Sequence, residues 1–175
     1  MTVRVKGDRE GALYLISPQL VFRDAKGAAS AFRFIATFDR GAEKPSQVTL
    51  LPIDEVTWTG TVADAQVPLW KRRLAAESLG SVVSATVTAT LTSLADPASG
   101  QPRPLREAAL QALATRSEGA SLATTIAMNR KEPWQIRRAA AVALGRSKDP
   151  AAAATLEKLL DDSENRVRAS AILGL

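Results

Sequence analysis

The segment Ile136-Arg137-Arg138-Ala139-Ala140-Ala141-Val142-Ala143-Leu144 carries the pattern that decides the fold. A branched aliphatic residue is followed by an arginine, by small residues two and three places after that arginine, and by a leucine at the end. The same pattern begins at Leu105 and again at Val167, so its three copies start at equally spaced positions. A fixed period on this scale is typical of stacked units, because one unit alone cannot bury its apolar face. The sequence therefore predicts an array of helix pairs.

A fourth, degenerate copy of the pattern begins at Lys71 and ends at Leu79 and Gly80. The second helix of each pair is predicted near 71–80, 105–114, 136–145 and 167–175. First helices are predicted at about 82–94, 121–130 and from 149 onward. Residues 86–91 also alternate polar and apolar side chains as a strand does. We predict a helix there, because one is needed to cover the next helix.

The N-terminal segment, residues 1–66, alternates like β-strands and lacks the period of a helix. Strands are predicted at 2–6, 12–16, 19–23, 32–38, 48–51 and 55–59. From Pro68 onward the apolar residues take up helical spacing. We therefore predict an α+β protein, with a small β-rich domain at 1–66 and an α-solenoid at 67–175. The solenoid is expected to hold about three and a half helical hairpins in a right-handed stack.

The chain contains no cysteine and no histidine. This excludes thiolate nucleophiles, disulfides, metal sites built on thiolate or imidazole, and every catalytic triad that needs histidine. The adjacent carboxylates, Asp54 with Glu55 and Asp161 with Asp162, are sequence neighbours and not groups that converge across a cleft. No P-loop, dinucleotide-binding glycine motif or nucleophile elbow is present. We predict that the protein is not an enzyme, and we assign no catalytic, cofactor-binding or metal-ligating residues.

The net charge of +5 lies entirely in residues 69–175, because the charges of residues 1–68 balance. Electrostatic attraction to an acidic partner is therefore expected in the repeat half. No apolar run approaches the roughly 20 residues that span a bilayer, and no signal-peptide pattern follows Met1. The default expectation is a soluble, cytoplasmic protein.

Residues 70–175 resemble HEAT repeats of the short subtype found in bacterial HEAT-like and phycobilisome-lyase-type proteins, most clearly at 136–175. The resemblance implies a solenoid of helical hairpins and says little about function. In this family an Asp six residues before the arginine often links neighbouring repeats. Asp162 precedes Arg168 at that spacing, but Lys131 and Gly100 occupy the corresponding positions of the two earlier copies. The linking ladder is therefore expected to be mostly absent and the superhelix irregular.

A second resemblance concerns the N-terminal region. Residues 11–22 look like the opening hairpin of GRAM or bacterial PH-like domains, and residues 51–56 are similar to the strand that follows in them. The resemblance implies a small β-sheet of that type. An unrelated small sheet is the alternative.

Three arginines of the repeated pattern, Arg106, Arg137 and Arg168, are expected to form a column along one face of the array. Arginine presents a planar fork of donors, so the column is a candidate surface for binding phosphates or carboxylates. The alternative is that each arginine bonds loop carbonyls or acidic side chains of the adjoining repeat. The family resemblance favours this internal role.

The other candidate partner-binding residues are basic or aromatic. Arg138, Arg130 and Lys131 belong to basic clusters that either follow a nucleic-acid backbone or form solvated helix faces. Trp70 and Trp134 come just before second helices. They are either exposed anchors for a partner or bulk that fills the turn between two helices.

The favoured function is a non-catalytic interaction scaffold that binds protein partners through the solenoid surface, because repeats present a long, rigid face. A nucleic-acid-binding module that uses the basic half is the alternative. An accessory protein of tetrapyrrole-lyase type is a third candidate, which only the family resemblance suggests. The last helix carries Ile172 and Leu173 and has no polar cap, so self-association or partner docking through it is also expected.

Overall fold

The computed structural model of the chain describes residues 4–7, 13–16, 20–23, 25, 29–39, 41–147 and 149–175. The chain divides into two compact units, Met1–Asp54 and Glu55–Leu175. The regular elements described in the first unit are strands, and those of the second unit are helices. The predicted α+β fold class, with a small β-region followed by a helical solenoid, is confirmed.

Five described strands form one antiparallel sheet in the first unit. They are β1 (Arg4–Gly7), β2 (Leu13–Ile16), β3 (Leu20–Arg23), β4 (Ala29–Phe38) and β5 (Gln47–Pro52). β4 pairs with β2, β3 and β5, while β1 pairs with β2. Ile35 on β4 is buried. The strands predicted between residues 2 and 51 are confirmed wherever they fall on described residues.

The PH-like opening hairpin predicted at 11–22 is wrong. Within the described sheet β2 pairs with residues 35–38 of β4 and β3 with residues 29–32, so the two strands do not pair with each other. Residues 17–19, between these two strands, lie outside the described residues. Residues 51–56 do not form a single strand either, because β5 ends at Pro52 and a helix begins at Glu55.

The strand predicted at 55–59 is also wrong, because these residues begin helix α1 (Glu55–Ala63). Trp58 and Val62, four residues apart, are buried on one face of this helix. Thr59, a β-branched residue of this segment, satisfies its hydroxyl group inside the helix, since its Oγ1 donates to the carbonyl oxygen of Glu55 at 2.6 Å. The boundary between the two units accordingly lies between residues 54 and 55, not between 66 and 67.

The described helices of the second unit pair into four hairpins, which we number 1 to 4 in chain order. The first helices are α1, α3 (Ala85–Ala95), α5 (Ser117–Met128) and α7 (Ala151–Leu159). The second helices are α2 (Leu69–Leu79), α4 (Arg103–Leu113), α6 (Trp134–Arg146) and α8 (Asn165–Gly174). The half hairpin predicted at the start of the array is complete, because α1 packs against α2. Among the described residues, no helix is both long and apolar enough to cross a bilayer.

The second helices stack in chain order, and each packs against the first helix of its own hairpin. The alanine four places after the start of the repeated pattern is completely buried in every copy. These residues are Ala75, Ala109, Ala140 and Ala171. A side chain no larger than a methyl group lets the backbones of neighbouring helices approach closely. Packing between stacked helices therefore explains the small residues of the pattern.

Helix α3 covers the segment whose alternation also suggested a strand, and the predicted helix is confirmed. Ser84 caps its N-terminus by accepting a hydrogen bond from a backbone N–H three residues later. Thr88 and Thr90 donate hydroxyl hydrogen bonds to carbonyl groups four residues earlier. Leu91 and Leu94 are buried. The β-branched residues are thus accommodated in a helix because their hydroxyls bond to its backbone.

Helices α6 and α8 meet at two glycines. A Cβ atom added at Gly145 would lie 2.5 Å from the Cα atom of Gly174, closer than packed atoms approach. We expect Gly145→Ala to lower the free energy of unfolding by about 1–3 kcal/mol, because the helices must move apart. Gly60→Ala in α1 is the matched control, since its added Cβ meets no atom within 4 Å. The control should raise stability by up to about 1 kcal/mol. Urea unfolding measures both changes in stability. A Gly145→Ala variant as stable as the wild type would contradict this packing.

Candidate functional site

Arginines of the repeated pattern tie each hairpin to the next one. Arg106 on α4 is buried. Its Nη1 and Nη2 atoms donate to the two carboxylate oxygens of Glu132 at 2.9 and 2.8 Å, and its Nε atom donates to the carbonyl oxygen of Ala95 at 3.3 Å. Ala95 ends the first helix of the same hairpin, whereas Glu132 lies in the loop of hairpin 3. Arg106 therefore joins hairpins 2 and 3 by a forked, charge-assisted pair.

The next arginine repeats this arrangement between hairpins 3 and 4. Arg137 donates from Nε and Nη2 to the two carboxylate oxygens of Asp162 at 3.0 and 2.8 Å, and from Nη1 to the carbonyl oxygen of Glu132 at 2.6 Å. The Asp162 side chain has no exposed surface. Burial alone would raise the pKa of Asp162, but hydrogen bonds from Arg137 and from the backbone N–H of Glu164, with the charges of Arg137 and Arg130, hold that pKa below its ordinary value. The hydrogen bond to Asp162 in turn raises the pKa of Arg137.

Arg72 and Arg168 occupy the same position of the pattern in the first and last hairpins. Arg72 is buried, and it donates from Nε to the carbonyl oxygen of Val62 and from Nη2 to the amide oxygen of Gln101, both at 2.9 Å. Arg168 donates from Nη1 to two carbonyl oxygens in the loop of its own hairpin, at 2.8 and 3.2 Å. Each arginine binds a carbonyl group of its own hairpin, and the first three also bind a side chain in the loop of the next hairpin. We call these contacts the arginine ladder.

A second set of side chains lies on the exposed side of the second helices, where none of them is buried. They form one stripe on each helix, spaced by about one helical turn. The stripes are Trp70, Arg73 and Glu77 on α2, Arg103, Glu107 and Gln111 on α4, Trp134, Arg138 and Val142 on α6, and Arg166, Ala169 and Leu173 on α8. Because these helices stack in chain order, the stripes lie side by side. We call this set the second-helix surface.

Ion pairs within helices neutralise part of the second-helix surface. Arg73 lies 3.0 Å from a carboxylate oxygen of Glu77, and Arg103 lies 3.6 Å from one of Glu107. Both pairs are four residues apart, the spacing at which helical side chains meet. Arg138 is exposed and has no ion pair or hydrogen bond with any residue that the structure describes. Arg138 therefore leaves its charge open to a partner.

Two tryptophans on this surface are half-buried, and each lies beside a cation. The Lys71 Nζ atom lies 5.4 Å from the ring centre of Trp70, and the guanidinium carbon of Arg166 lies 4.6 Å from the ring centre of Trp134. Cations at these distances are attracted to the face of the ring. The sequence left burial and exposure open for these tryptophans. The structure shows an intermediate state, in which each tryptophan keeps part of its surface accessible.

Arg130 and Lys131 lie in the loop of hairpin 3, beside the ladder and not on the second-helix surface. Arg130 donates to the carbonyl oxygen of Asp161 at 3.3 Å and lies 3.6 Å from a carboxylate oxygen of Asp162. Lys131 is exposed and has no ion pair within the described part of the chain. No group of three or more possible His, Cys, Asp or Glu metal ligands comes together among the described residues.

A family model of HEAT repeats matches residues 98–175, which include helices α4 to α8. This segment is an array of HEAT repeats. The resemblance noted in the sequence is therefore confirmed for this part of the chain. No curated protein matches the chain. HEAT repeats are generally non-catalytic and commonly mediate protein interactions.

The HEAT array contains the ladder that the sequence spacing suggested to be mostly absent, so that expectation is wrong. The expectation assumed an acidic residue six places before each arginine, and only Asp162 satisfies that spacing. Glu132 and Gln101 stand one place nearer to the following helix and have one more methylene, which lets them reach the arginine of the preceding hairpin. The length of the side chain thus compensates for its position in the loop.

The structure distinguishes the two alternatives for the arginine column of the HEAT array. Arg106 and Arg137 are buried and tie neighbouring hairpins together, which is the internal alternative. Arg168 is half-buried. The remaining candidates, Arg138, Arg130, Lys131, Trp134 and Trp70, all keep at least part of their side chains within reach of a partner.

Several functional contacts of the array were missed in the sequence, and Arg116 shows why. It donates from Nη2 to the carbonyl oxygens of Leu79 and Val82 at 3.0 and 2.6 Å, and from Nη1 to the hydroxyl of Thr88 at 2.6 Å. Burial lowers the pKa of Arg116, and the charge of Glu118 opposes this shift. Because Arg116 stands outside the repeated pattern, no periodic signal identifies it. Arg166, Gln101 and Glu132 were missed for the same reason.

Acid should weaken the tie between hairpins 3 and 4. The pKa of Asp162 is lower in the folded protein than in the unfolded chain, so its stabilising effect is complete above the unfolded pKa of about 3.9 and is lost as the pH falls through the folded value. We expect Asp162→Asn to destabilise the protein near neutral pH, by an amount that shrinks below about pH 4. Urea unfolding across this pH range measures the difference from wild type. A difference that does not change with pH would contradict the role of the charge.

Proposed function

We propose that the chain is a non-catalytic scaffold that binds a protein partner through the second-helix surface. The observation that carries the proposal is the stripe on α6, where Trp134, Arg138 and Val142 lie on one accessible line. They place there an aromatic ring, a cation with no ion pair to any described residue, and an aliphatic side chain. Tryptophan and arginine are the residues that most often dominate the binding energy of protein interfaces. A partner segment with a carboxylate beside an apolar side chain matches this stripe.

The helix under the stripe is held in place before a partner arrives. Arg137, the neighbour of Arg138, is fixed by Asp162, while Ala140 and Ala143 are buried against adjacent helices. Arg166 lies over the ring of Trp134, a contact that favours this position of the ring. A surface that is ordered in advance loses less entropy on binding. This supports the stripe as a docking surface.

The distribution of positive charge favours protein over nucleic acid. Arg72, Arg106 and Arg137 are buried in the ladder, and Arg73 and Arg103 are paired with glutamates of their own helices. Binding to a phosphate backbone needs several available cations along one line, since each neutralised phosphate adds to affinity. These five arginines are therefore already engaged by other groups of the protein and are not available to a phosphate backbone.

Photo-crosslinking followed by binding measurements tests the proposal. A photoreactive residue at Gln111 on the second-helix surface should label a protein partner, whereas one at Thr125, exposed on α5, should not. For the labelled partner, Arg138→Glu and Trp134→Ala should each weaken the affinity measured by calorimetry by at least about tenfold. Thr125→Glu is the control and should leave the affinity unchanged.

Two outcomes would contradict the proposal. The first is a partner that labels Gln111 and Thr125 equally and binds the Arg138→Glu variant normally. The second is tight binding of a DNA or RNA oligonucleotide that falls steeply with salt and is lost in Arg138→Glu, since that result assigns the surface to nucleic acid.

A further inference from the structure

Strand β5 lies at an edge of the sheet, because among the described strands it pairs with β4 alone. Its last residue, Pro52, pairs with Phe32 although proline has no N–H group to donate. This pair is therefore one whose backbone groups point away from the neighbouring strand, and such pairs alternate with hydrogen-bonded ones along an antiparallel ladder. Leu50 and Val48 stand two and four places before Pro52, so their N–H and C=O groups also point away from β4.

The free edge of β5 is apolar and accessible. Val48 and Leu50 are 59% and 50% exposed. On the free side of β5, the backbone of neither residue forms a hydrogen bond to any residue that the structure describes. Residues 47–51 contain no charge and no proline, although sheet edges that stay unpaired usually carry such residues. The composition of β5 is therefore that of an edge which another strand can join.

We propose that β5 pairs with β5 of a second copy of this chain, in an antiparallel register centred on Thr49. In this register Val48 of one copy exchanges two backbone hydrogen bonds with Leu50 of the other, and the twofold axis repeats the exchange. The exposed side chains of Val48 and Leu50 then lie side by side across the contact, which removes apolar surface from water. The two sheets become one continuous sheet.

The charges that flank β5 favour a second copy over an unrelated strand. The first charged residues on either side of the strand are Lys44 and Asp54, and each stands five places from Thr49. An antiparallel pair centred on Thr49 therefore directs Lys44 of each copy toward Asp54 of the other, at both ends of the new ladder. Opposite charges that meet across two strands stabilise the pair. A register slid by two residues would lose this match, so the charges support both the occupant and its alignment.

Disulfide crosslinking tests the occupant and the register together, since the chain has no cysteine of its own. In the proposed dimer Thr49 faces Thr49 of the other copy as a non-hydrogen-bonded pair, with Cα atoms about 4.5 Å apart. A disulfide spans that distance, so Thr49→Cys should form a covalent dimer under mild oxidation. Gln47→Cys is the matched control, because Gln47 lies on the same side of β5 and is more exposed than Thr49. It would lie about 14 Å from its own counterpart and should crosslink at least about tenfold more slowly.

Two further measurements check the same contact. A mixture of Gln47→Cys and Leu51→Cys chains should form mixed disulfide dimers, because residue 47 of one copy faces residue 51 of the other in this register. Sedimentation equilibrium of the wild type should show a reversible dimer, which Leu50→Pro weakens by about tenfold or more through the loss of an N–H group from each copy. This N–H group faces away from β4, so far-UV circular dichroism should stay unchanged. Leu50→Val keeps the N–H group and should leave the dimer intact.

A Thr49→Cys chain that stays monomeric under oxidation, or that crosslinks no faster than Gln47→Cys, would overturn the proposal. A dimer that persists unchanged in a folded Leu50→Pro variant would overturn it as well, because the contact would then lie elsewhere on the chain. If the chain is monomeric and a different protein slows amide exchange at Val48 and Leu50, the edge belongs to that protein and not to a second copy.

Discussion

Asp162→Ala should lower the free energy of unfolding by about 3–5 kcal/mol, the cost of removing one partner from a buried ion pair. The substitution leaves the guanidinium of Arg137 buried without its carboxylate, because Asp162 accepts from both Nε and Nη2. It also removes the acceptor that the backbone N–H of Glu164 uses at 2.9 Å. Urea unfolding followed by far-UV circular dichroism measures the loss.

The neighbouring residue provides the control for this prediction. Asp161 is exposed, and its backbone carbonyl, not its side chain, accepts the hydrogen bond from Arg130. Asp161→Ala should therefore change stability by less than about 0.5 kcal/mol. If both alanine variants lost the same stability, the cost would belong to the loop and not to the ion pair.

Glu132→Ala should also lower the free energy of unfolding by about 3–5 kcal/mol, because it breaks the buried ion pair that joins hairpins 2 and 3. Glu132 accepts two hydrogen bonds from Arg106, and the side chains of both residues are almost fully buried. Arg106 keeps its hydrogen bonds to the carbonyl oxygen of Ala95, but a neutral acceptor does not balance the charge. Glu107→Ala is the control, because this partly exposed glutamate pairs with Arg103 at the surface and should contribute at most about 1 kcal/mol.

The Asp162→Ala and Glu132→Ala variants should also differ in which helices lose protection against amide exchange. In a repeat array each unit is stabilised by its neighbours, so the loss of one contact between hairpins destabilises the hairpins beyond it. Amide exchange should accelerate mainly in α7 and α8 for Asp162→Ala, and in α5 to α8 for Glu132→Ala. Uniform acceleration over all eight described α-helices in both variants would show that the array unfolds as one unit and that the ties are not local.

The helical array could be predicted because its packing is periodic. The buried alanine and the leucine of each copy recur at one constant interval from Leu105 onward, and this spacing alone defines three second helices. Helix α1 could not be predicted in the same way. Its threonines have strand propensity, and only the burial of Trp58 and Val62 against other helices makes the segment helical. Tertiary packing overrode local propensity there.

The candidate site was only partly visible in the sequence. The repeated pattern identified Arg106 and Arg137, but which of the two alternatives applied depended on acceptors that lie in the loop of the following hairpin. Loop residues reach these arginines by different side-chain lengths, so no fixed spacing marks them. Likewise, the lack of an ion pair between Arg138 and any described residue is a property of the packed array, which a single helix pattern does not show.

A double-mutant cycle at Arg137 and Asp162 tests most directly that the arginine ladder holds neighbouring hairpins together. The cycle compares wild type, Arg137→Ala, Asp162→Ala and the double variant by urea unfolding at neutral pH. We expect a coupling free energy of at least about 2 kcal/mol, because the double variant no longer buries an unpaired charge. A coupling near zero, with single substitutions that simply add, would contradict the ladder.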